Sequence, residues 1–269
     1  MKTHIAFFAS AILSLAVPLF AESKSEKFEA DIPYTAQTDA YAKERCKLDI
    51  YVPKDKIAAT VVWFHGGGLS GGNKNFPDGL KNSGLIVVTP NYRLSPKIPA
   101  HLAINDAAEA VAWVFANIEK YGGSPDKIFV GGHSAGAYLS GMISFAPEYL
   151  AKYKIKNTDI KGCILLSGQT TTHFRVRKDF GDSDSQWLPK IDKYSLIGNA
   201  DNKIPPCCLI VGDPALEFPE RVEENILLAS VLKKLNSSPK VCLYQLQGLD
   251  HTTVSSAIAP ILKNFIRSF

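Results

Sequence analysis

One pentapeptide in the sequence places a serine between two glycines, Gly132-His133-Ser134-Ala135-Gly136. It follows the apolar run 127–130 and opens a helical stretch, so the serine is expected on a tight strand-to-helix turn. Such a turn strains the serine backbone and crowds its neighbours, which is why glycine is needed at positions 132 and 136. The hydroxyl is then exposed at the edge of a sheet and at the positive end of a helix. This context predicts that Ser134 is a nucleophile.

A second segment that could take part in a reaction is His65-Gly66-Gly67-Gly68, directly after an apolar run. Its glycines let backbone N–H groups approach a bound group without intervening side chains. We expect Gly67 and Gly68, together with the N–H of Ala135, to form an oxyanion hole for a tetrahedral intermediate. A phosphate-binding loop is the alternative, but neither G-x-x-x-x-G-K-[ST] nor G-x-G-x-x-G is present. His65 is interpreted as a residue that shapes the loop.

A histidine suited to activate the serine lies near the C-terminus. His251 falls after the last apolar run and before the last helical stretch, in the chain order serine, acid, histidine. We expect His251 to take the proton of Ser134 during attack and to return it to the leaving group. His173, the other histidine after Ser134, is interpreted as a substrate contact or a surface residue.

The elements that must position these residues are short apolar runs alternating with helical patterns. Strands are predicted at seven places: Lys47 to Val52, Thr60 to Phe64, Leu85 to Thr89, Lys127 to Gly131, Cys163 to Ser167, Cys207 to Val211 and Val241 to Leu246. Helices are predicted at four: Leu102 to Tyr121, Ala135 to Phe145, Pro219 to Leu235 and Thr253 to Phe269. The pattern predicts an α/β fold, with a single doubly wound, mostly parallel sheet and helices on both faces. A ligand is then expected at the carboxyl ends of the strands. The polar segment 168–204 is predicted to be a small cap insertion, and residues 22–45 fit neither pattern.

The N-terminus and the composition limit the function classes. Lys2, the apolar run 5–20 and Ala21 predict a signal peptide over residues 1–21, cleaved to leave one domain, 22–269, exported to the periplasm or secreted. An uncleaved anchor is the alternative, since Leu19 is large for its place before the cleavage site. No stable membrane insertion is expected after cleavage. A net charge of +4 without a basic run favours no nucleic-acid partner. The five cysteines have no metal-ligand spacing, so no metal is expected.

From about Leu48 to the C-terminus the chain resembles the HGGG-type esterases of the α/β-hydrolase superfamily. The branches it resembles are the hormone-sensitive-lipase-like and bacterial feruloyl/acetyl-esterase-like enzymes, which include kynurenine formamidase. The matching segments are 48–53, 65–68, 91–96, Asp106, the turn around Ser134, and Asp250-His251. The resemblance implies the α/β-hydrolase fold, cleavage of short acyl esters or related amides, and no cofactor. It also implies that Tyr92, Arg93 and Asp106 hold loops in place.

Two carboxylates compete for the role of the acid that orients His251. Related enzymes often place an Asp three residues beyond the glycine that ends the penultimate strand, but here Ala215 stands at that distance from Gly212. Asp213, at the strand end, is favoured over Glu217, which has the longer reach. Both satisfy the order serine, acid, histidine. The carboxylates of the following helix are predicted to form a solvated face: Glu220, Glu223 and Glu224.

Three functions are compatible with these residues. The favoured one is a carboxylic-ester hydrolase that acts through an acyl-enzyme on a small-molecule or oligosaccharide ester, of a short acyl, acetyl or feruloyl type. An arylformamidase or a peptidase could use the same scaffold. A non-catalytic binding protein is the third reading. The sequence does not indicate an oligomeric state.

Overall fold

The computed structural model describes residues 26–182 and 184–269. The predicted signal peptide, residues 1–21, lies outside the described residues. The strands are β1 Lys27–Pro33, β2 Lys47–Val52, β3 Ala59–Phe64, β4 Leu85–Pro90, β5 Ile128–His133, β6 Gly162–Leu166, β7 Cys207–Val211 and β8 Val241–Gln245. The helices are α1 Ala40–Arg45, α2 Ala103–Asn117, α3 Ala135–Phe145, α4 Glu148–Ala151, α5 Phe174–Asp179, α6 Arg221–Leu235 and α7 Ile258–Arg267.

Within the described ranges the strands form one sheet in the order β1-β2-β4-β3-β5-β6-β7-β8. β1 is antiparallel to β2, and β2 to β4, whereas all other neighbours are parallel. The predicted mostly parallel sheet is therefore confirmed. Because the carboxyl ends of parallel strands meet at one edge, the segments that follow β3, β5, β7 and β8 come together there.

The buried side chains of the strands alternate between two faces, since successive residues of a strand point to opposite sides. On β3, Val62 packs in the same apolar cluster as Val111 of α2 and Leu139 of α3. The next residue, Trp63, packs in the opposite cluster with Leu262 of α7. Helices thus cover both faces of the sheet, as predicted, and this double cover makes the central strands apolar throughout.

Four elements were absent from the sequence prediction: β1, α1, α4 and α5. Six of the seven residues of β1 are exposed, so the strand lies on the edge of the sheet without the apolar alternation that reveals a strand in a sequence. Its pairing with β2 holds it in place instead. Three predicted helices are shorter than expected. The segment 102–121 is α-helical only to Asn117, the segment 219–235 becomes α-helical at Arg221, and the segment 253–269 becomes α-helical at Ile258.

Candidate active site

Ser134 lies on the turn between β5 and α3 with φ 55° and ψ −118°, a conformation that a residue with a side chain rarely adopts. The close packing around this turn leaves no room for a side chain at Gly132 or at Gly136. A Cβ on Gly136 would lie 2.0 Å from the Phe64 carbonyl oxygen, and one on Gly132 would lie 2.4 Å from the carbonyl carbon of Gly136. The geometry therefore requires both glycines, as the sequence pattern predicts.

The glycine loop after β3 lies directly against this turn. A Cβ on Gly66 would come within 3.3 Å of the Ser134 Cβ, and Gly67 and Gly68 line the same cavity as Ser134. Gly67 has φ 114° and Gly68 has φ 60°, both in the region that favours glycine. In the described part of the chain, no hydrogen bond is found from the backbone N–H of Gly67, Gly68 or Ala135. The three predicted oxyanion donors are thus near the serine and available.

The structure joins three side chains across the carboxyl edge of the sheet. His251 Nε2 lies 2.9 Å from Ser134 Oγ, and His251 Nδ1 lies 2.6 Å from Glu217 Oε1. An ionised carboxylate only accepts hydrogen bonds, so Nδ1 carries the proton and Nε2 is free to accept the serine hydroxyl. This is the arrangement of a nucleophile, a general base and an acid that orients the base.

The preference for Asp213 over Glu217 is wrong in this geometry. Asp213 uses both of its carboxylate oxygens to hold the local chain: one accepts from the Gly248 N–H at 2.7 Å, and the other from the Ala215 N–H at 2.9 Å. These bonds lower the pKa of Asp213. At the strand end its short side chain closes its own turn, whereas Glu217, four residues later, reaches His251.

Glu217 is held as an anion in a buried position. Burial by itself raises the pKa of a carboxyl group, but hydrogen bonds from His251, from the Ser167 hydroxyl at 2.6 Å and from the Phe218 N–H outweigh it and lower the pKa of Glu217 to about 2. Ser167 follows β6 and has φ 48°. Ser167 was not predicted as a site residue, although its place as the last residue of a predicted strand was a usable signal.

His133, inside the serine pentapeptide, supports the base from its other side. Its Nε2–H donates to the His251 carbonyl oxygen at 2.8 Å. Burial, and secondarily the charge of His251, lower the pKa of His133 to about 4. A neutral His133 keeps this donor and places no second positive charge next to the imidazolium of His251. This contact was also missed, because it joins residues 118 positions apart.

A cavity of about 370 Å³ opens beside the serine. The segment 168–204, which was predicted to be a cap, contributes His173, Phe174, Gln186 and Trp187 to its walls. His173 is fully buried, which lowers its pKa to about 3, so this ring is an uncharged part of the wall. The exposed ring of Phe218 stacks on His251 with centroids 4.1 Å apart.

The prediction that three carboxylates of the α6 segment form a solvated face is wrong for two of them. Glu220, just before the helix, is half-buried and lines the cavity. Glu224 is buried and accepts hydrogen bonds from the Thr170 N–H at 2.9 Å and the Thr171 hydroxyl at 2.6 Å. The polar segment after β6 packs on this helix and covers its face. Glu223 is exposed, as predicted.

Residues 61–217, more than half of the chain, match a protein-family profile described as alpha/beta hydrolase fold. The chain belongs to this family. Acetylcholinesterase-1 from Trittame loki is 32% identical over 133 residues, which are 42% of this chain and 24% of that protein. The bile salt-activated lipase of Mus musculus is 28% identical over 204 residues, which are 66% of this chain and 32% of that protein. The chain thus spans a quarter to a third of the length of these relatives.

Solved structures of esterases share the fold of this α/β hydrolase. A truncated carbohydrate esterase from gut microbiota superposes with a TM-score of 0.71 at 18% identity, covering 92% of this chain and 98% of the other. Esterase B from Lactobacillus rhamnosis gives a TM-score of 0.70 at 18% identity, covering 91% and 85%. The likeness extends over nearly the whole chain, well beyond the stretch matched by the family profile.

Away from the serine, the α/β hydrolase is braced by a buried ion pair. Arg93 donates from Nε and Nη2 to the two oxygens of Asp106, at 2.9 and 2.6 Å, and its backbone N–H donates to the same carboxylate. Tyr92 donates from its hydroxyl to the His65 carbonyl oxygen at 2.9 Å and stacks on the His65 ring. These contacts give the three residues the loop-holding roles that the resemblance implies.

No helix within 26–182 and 184–269 is both long and apolar enough to cross a membrane. In the same ranges, no group of three or more His, Cys, Asp or Glu side chains is arranged to hold a metal ion.

Proposed function

We propose that this α/β hydrolase is a serine esterase that cleaves carboxylic esters through an acyl-enzyme. The observation that carries the proposal is the continuous contact from Ser134 Oγ to His251 and on to Glu217, over distances of 2.9 and 2.6 Å. The esterases and lipases among its relatives and structural neighbours support the same reaction class. The size of the cavity supports a short acyl group.

In the first half of the reaction, Ser134 Oγ attacks the ester carbonyl carbon while His251 Nε2 takes its proton. The carbonyl oxygen becomes an oxyanion that accepts hydrogen bonds from the N–H groups of Gly67, Gly68 and Ala135. Glu217 stabilises the imidazolium across its Nδ1–H bond. The bond to the alcohol oxygen then breaks, and His251 returns the proton to the leaving alcohol.

In the second half, water replaces the alcohol. His251 takes a proton from the water, whose oxygen attacks the acyl carbon, and the same three N–H groups stabilise the second oxyanion. Collapse of this intermediate releases the carboxylic acid and returns a proton to Ser134 Oγ. None of these steps draws on a cofactor.

The proposal is tested by replacing Ser134 with Ala. Hydrolysis of 4-nitrophenyl acetate by the folded variant should fall by about 10⁴-fold or more, because the nucleophile is gone while the partly exposed hydroxyl contributes little to packing. A fluorophosphonate probe should label the wild type and not the variant. Circular dichroism provides the folding control. Unchanged turnover by Ser134→Ala would contradict the proposal, and faster turnover of N-formylkynurenine than of any ester would favour an arylformamidase.

A further inference from the structure

The cavity beside Ser134 contains a carboxylate that the proposed reaction does not use. Glu220 lines the wall of this cavity together with Ser134 and His251. Its Oε2 is buried without a hydrogen-bond partner in the part of the chain that the structure describes. The adjacent Arg221 does not pair with it there, and instead donates from Nη1 to the Ser167 carbonyl oxygen. A buried polar atom without a partner calls for an explanation.

The backbone gives a second, independent indication. Glu220 has φ 61° and ψ −20°, in the left-handed region, and its side chain does not cap α6. Glycine or asparagine adopts this conformation at lower cost, and serine, threonine, aspartate or asparagine would cap the helix. Glutamate at this position therefore serves neither the turn nor the helix. Backbone strain and unpaired polar groups of this kind cluster where a protein binds a ligand.

The surroundings of Glu220 identify the chemistry of that ligand. Phe174, Trp187 and Phe218 place aromatic rings on the same cavity, and the Trp187 and Phe218 centroids lie 6.1 Å apart. Arg221 brings a buried guanidinium to the same wall, with its Nε unpartnered among the described residues. This positive charge beside Glu220 disfavours a cationic ligand. A hydroxylated carbon chain or ring suits the wall, because its C–H faces pack on aromatic rings while its hydroxyl groups donate to a carboxylate and accept from a guanidinium.

We propose that Glu220 is a specificity-determining residue that accepts hydrogen bonds from hydroxyl groups on the alcohol half of the ester. The preferred substrates are then esters of polyols or sugars, which carry their free hydroxyl groups on that half. This inference rests on the proposed esterase function. Burial raises the pKa of Glu220 to about 7, so at about pH 8 the carboxylate, which only accepts hydrogen bonds, is the main form.

Two matched pairs of esters test the inference at about pH 8. Glycerol 1-acetate and propyl acetate differ only in two hydroxyl groups. Glucose 6-acetate and tetrahydropyran-2-ylmethyl acetate, which differ only in four hydroxyl groups, are the corresponding ring pair. Glu220→Gly suits the positive φ and removes the acceptor, so the ratio of kcat/KM for the hydroxylated over the plain ester should fall about 10-fold or more. Glu220→Gln keeps a neutral acceptor and should lower the ratio less. Glu223→Gln, an exposed carboxylate three positions along, is the control and should leave the ratio unchanged.

The outcomes separate this inference from the proposed function. A fall confined to the glycerol pair supports a polyol ligand, and one confined to the ring pair supports a sugar. An unchanged ratio in Glu220→Gly, or an equal fall in Glu223→Gln, would overturn the role of Glu220 while ester turnover leaves the esterase function standing. If the wild type hydrolyses 4-nitrophenyl acetate but none of the four esters, the role of Glu220 is overturned alone, and if it hydrolyses none of the five, the esterase function fails as well.

Discussion

At the level of single residues, side-chain length and position on the loop determine which carboxylate contacts His251. Asp213 and Glu217 lie four positions apart on one loop, yet Asp213 binds backbone N–H groups of its own turn and of Gly248, whereas Glu217 binds His251. Glu217→Gln should lower kcat on a short ester by up to about 10⁴-fold, because a neutral amide favours the wrong tautomer of His251 and does not stabilise the imidazolium. Steady-state kinetics of Glu217→Gln and Asp213→Asn, measured side by side, check this. A large loss in Asp213→Asn with near-normal Glu217→Gln would contradict the structure.

The contact between His133 and His251 predicts a positioning role. His133→Leu removes the donor to the His251 carbonyl oxygen, so His251 is held less firmly in position. We therefore expect kcat to fall about 10-fold, equivalent to about 1.4 kcal/mol. His133→Gln carries a side-chain N–H donor near the place of Nε2 and should recover most of that loss. If the Gln and Leu variants are equally impaired in kcat, the effect comes from packing rather than from this hydrogen bond.

At the scale of elements, the parallel strands bring distant loops to one edge, and buried contacts then hold those loops. The Arg93–Asp106 pair fixes the segment after β4 to α2, with side-chain exposures of 11% and 0%. Asp106→Ala leaves the Arg93 guanidinium without its main partner, so the free energy of unfolding should fall by about 3–5 kcal/mol. Urea unfolding of this variant measures the loss. Glu119→Ala, on an exposed turn after α2, is the control and should change stability by less than about 0.5 kcal/mol.

At the scale of the whole molecule, buried histidines make stability depend on pH. Burial lowers the pKa of His65 and of His133 to about 4, and that of His173 to about 3. The unfolded chain takes up protons on these rings as the pH falls below about 6.5, whereas the folded chain does so only at about pH 4 or lower. The free energy of unfolding therefore decreases as the pH decreases across this window. Between pH 7 and pH 5, each ring should lower the free energy of unfolding by roughly 2 kcal/mol.

Urea unfolding at about pH 8, 7, 6 and 5 tests this prediction. The free energy of unfolding should fall as the pH drops below about 6.5. Glu220, whose pKa burial raises to about 7, takes up its proton first in the folded chain and offsets part of this loss. Glu217 adds to the loss only at lower pH, because its pKa of about 2 lies below the ordinary value and its contribution disappears between about pH 4.5 and 2. His173→Asn keeps an acceptor for the Arg175 N–H but does not titrate, so it should flatten the profile. A wild-type profile without slope between pH 7 and 5 would refute the assignment.

Local sequence patterns predict the fold class, seven of the eight strands, and the placement of Ser134, His251 and the glycine loop. These features are local: strands buried on both faces are apolar throughout, and a strand-to-helix turn this tight admits only glycine at two places. Packing of the chain establishes which acid meets His251, the support by His133 and Ser167, and the burial of Glu220 and Glu224. Those depend on distances between segments up to 118 residues apart and on which face of α6 another segment covers. No local pattern encodes such distances, because they are fixed only when the strands pair and the helices pack.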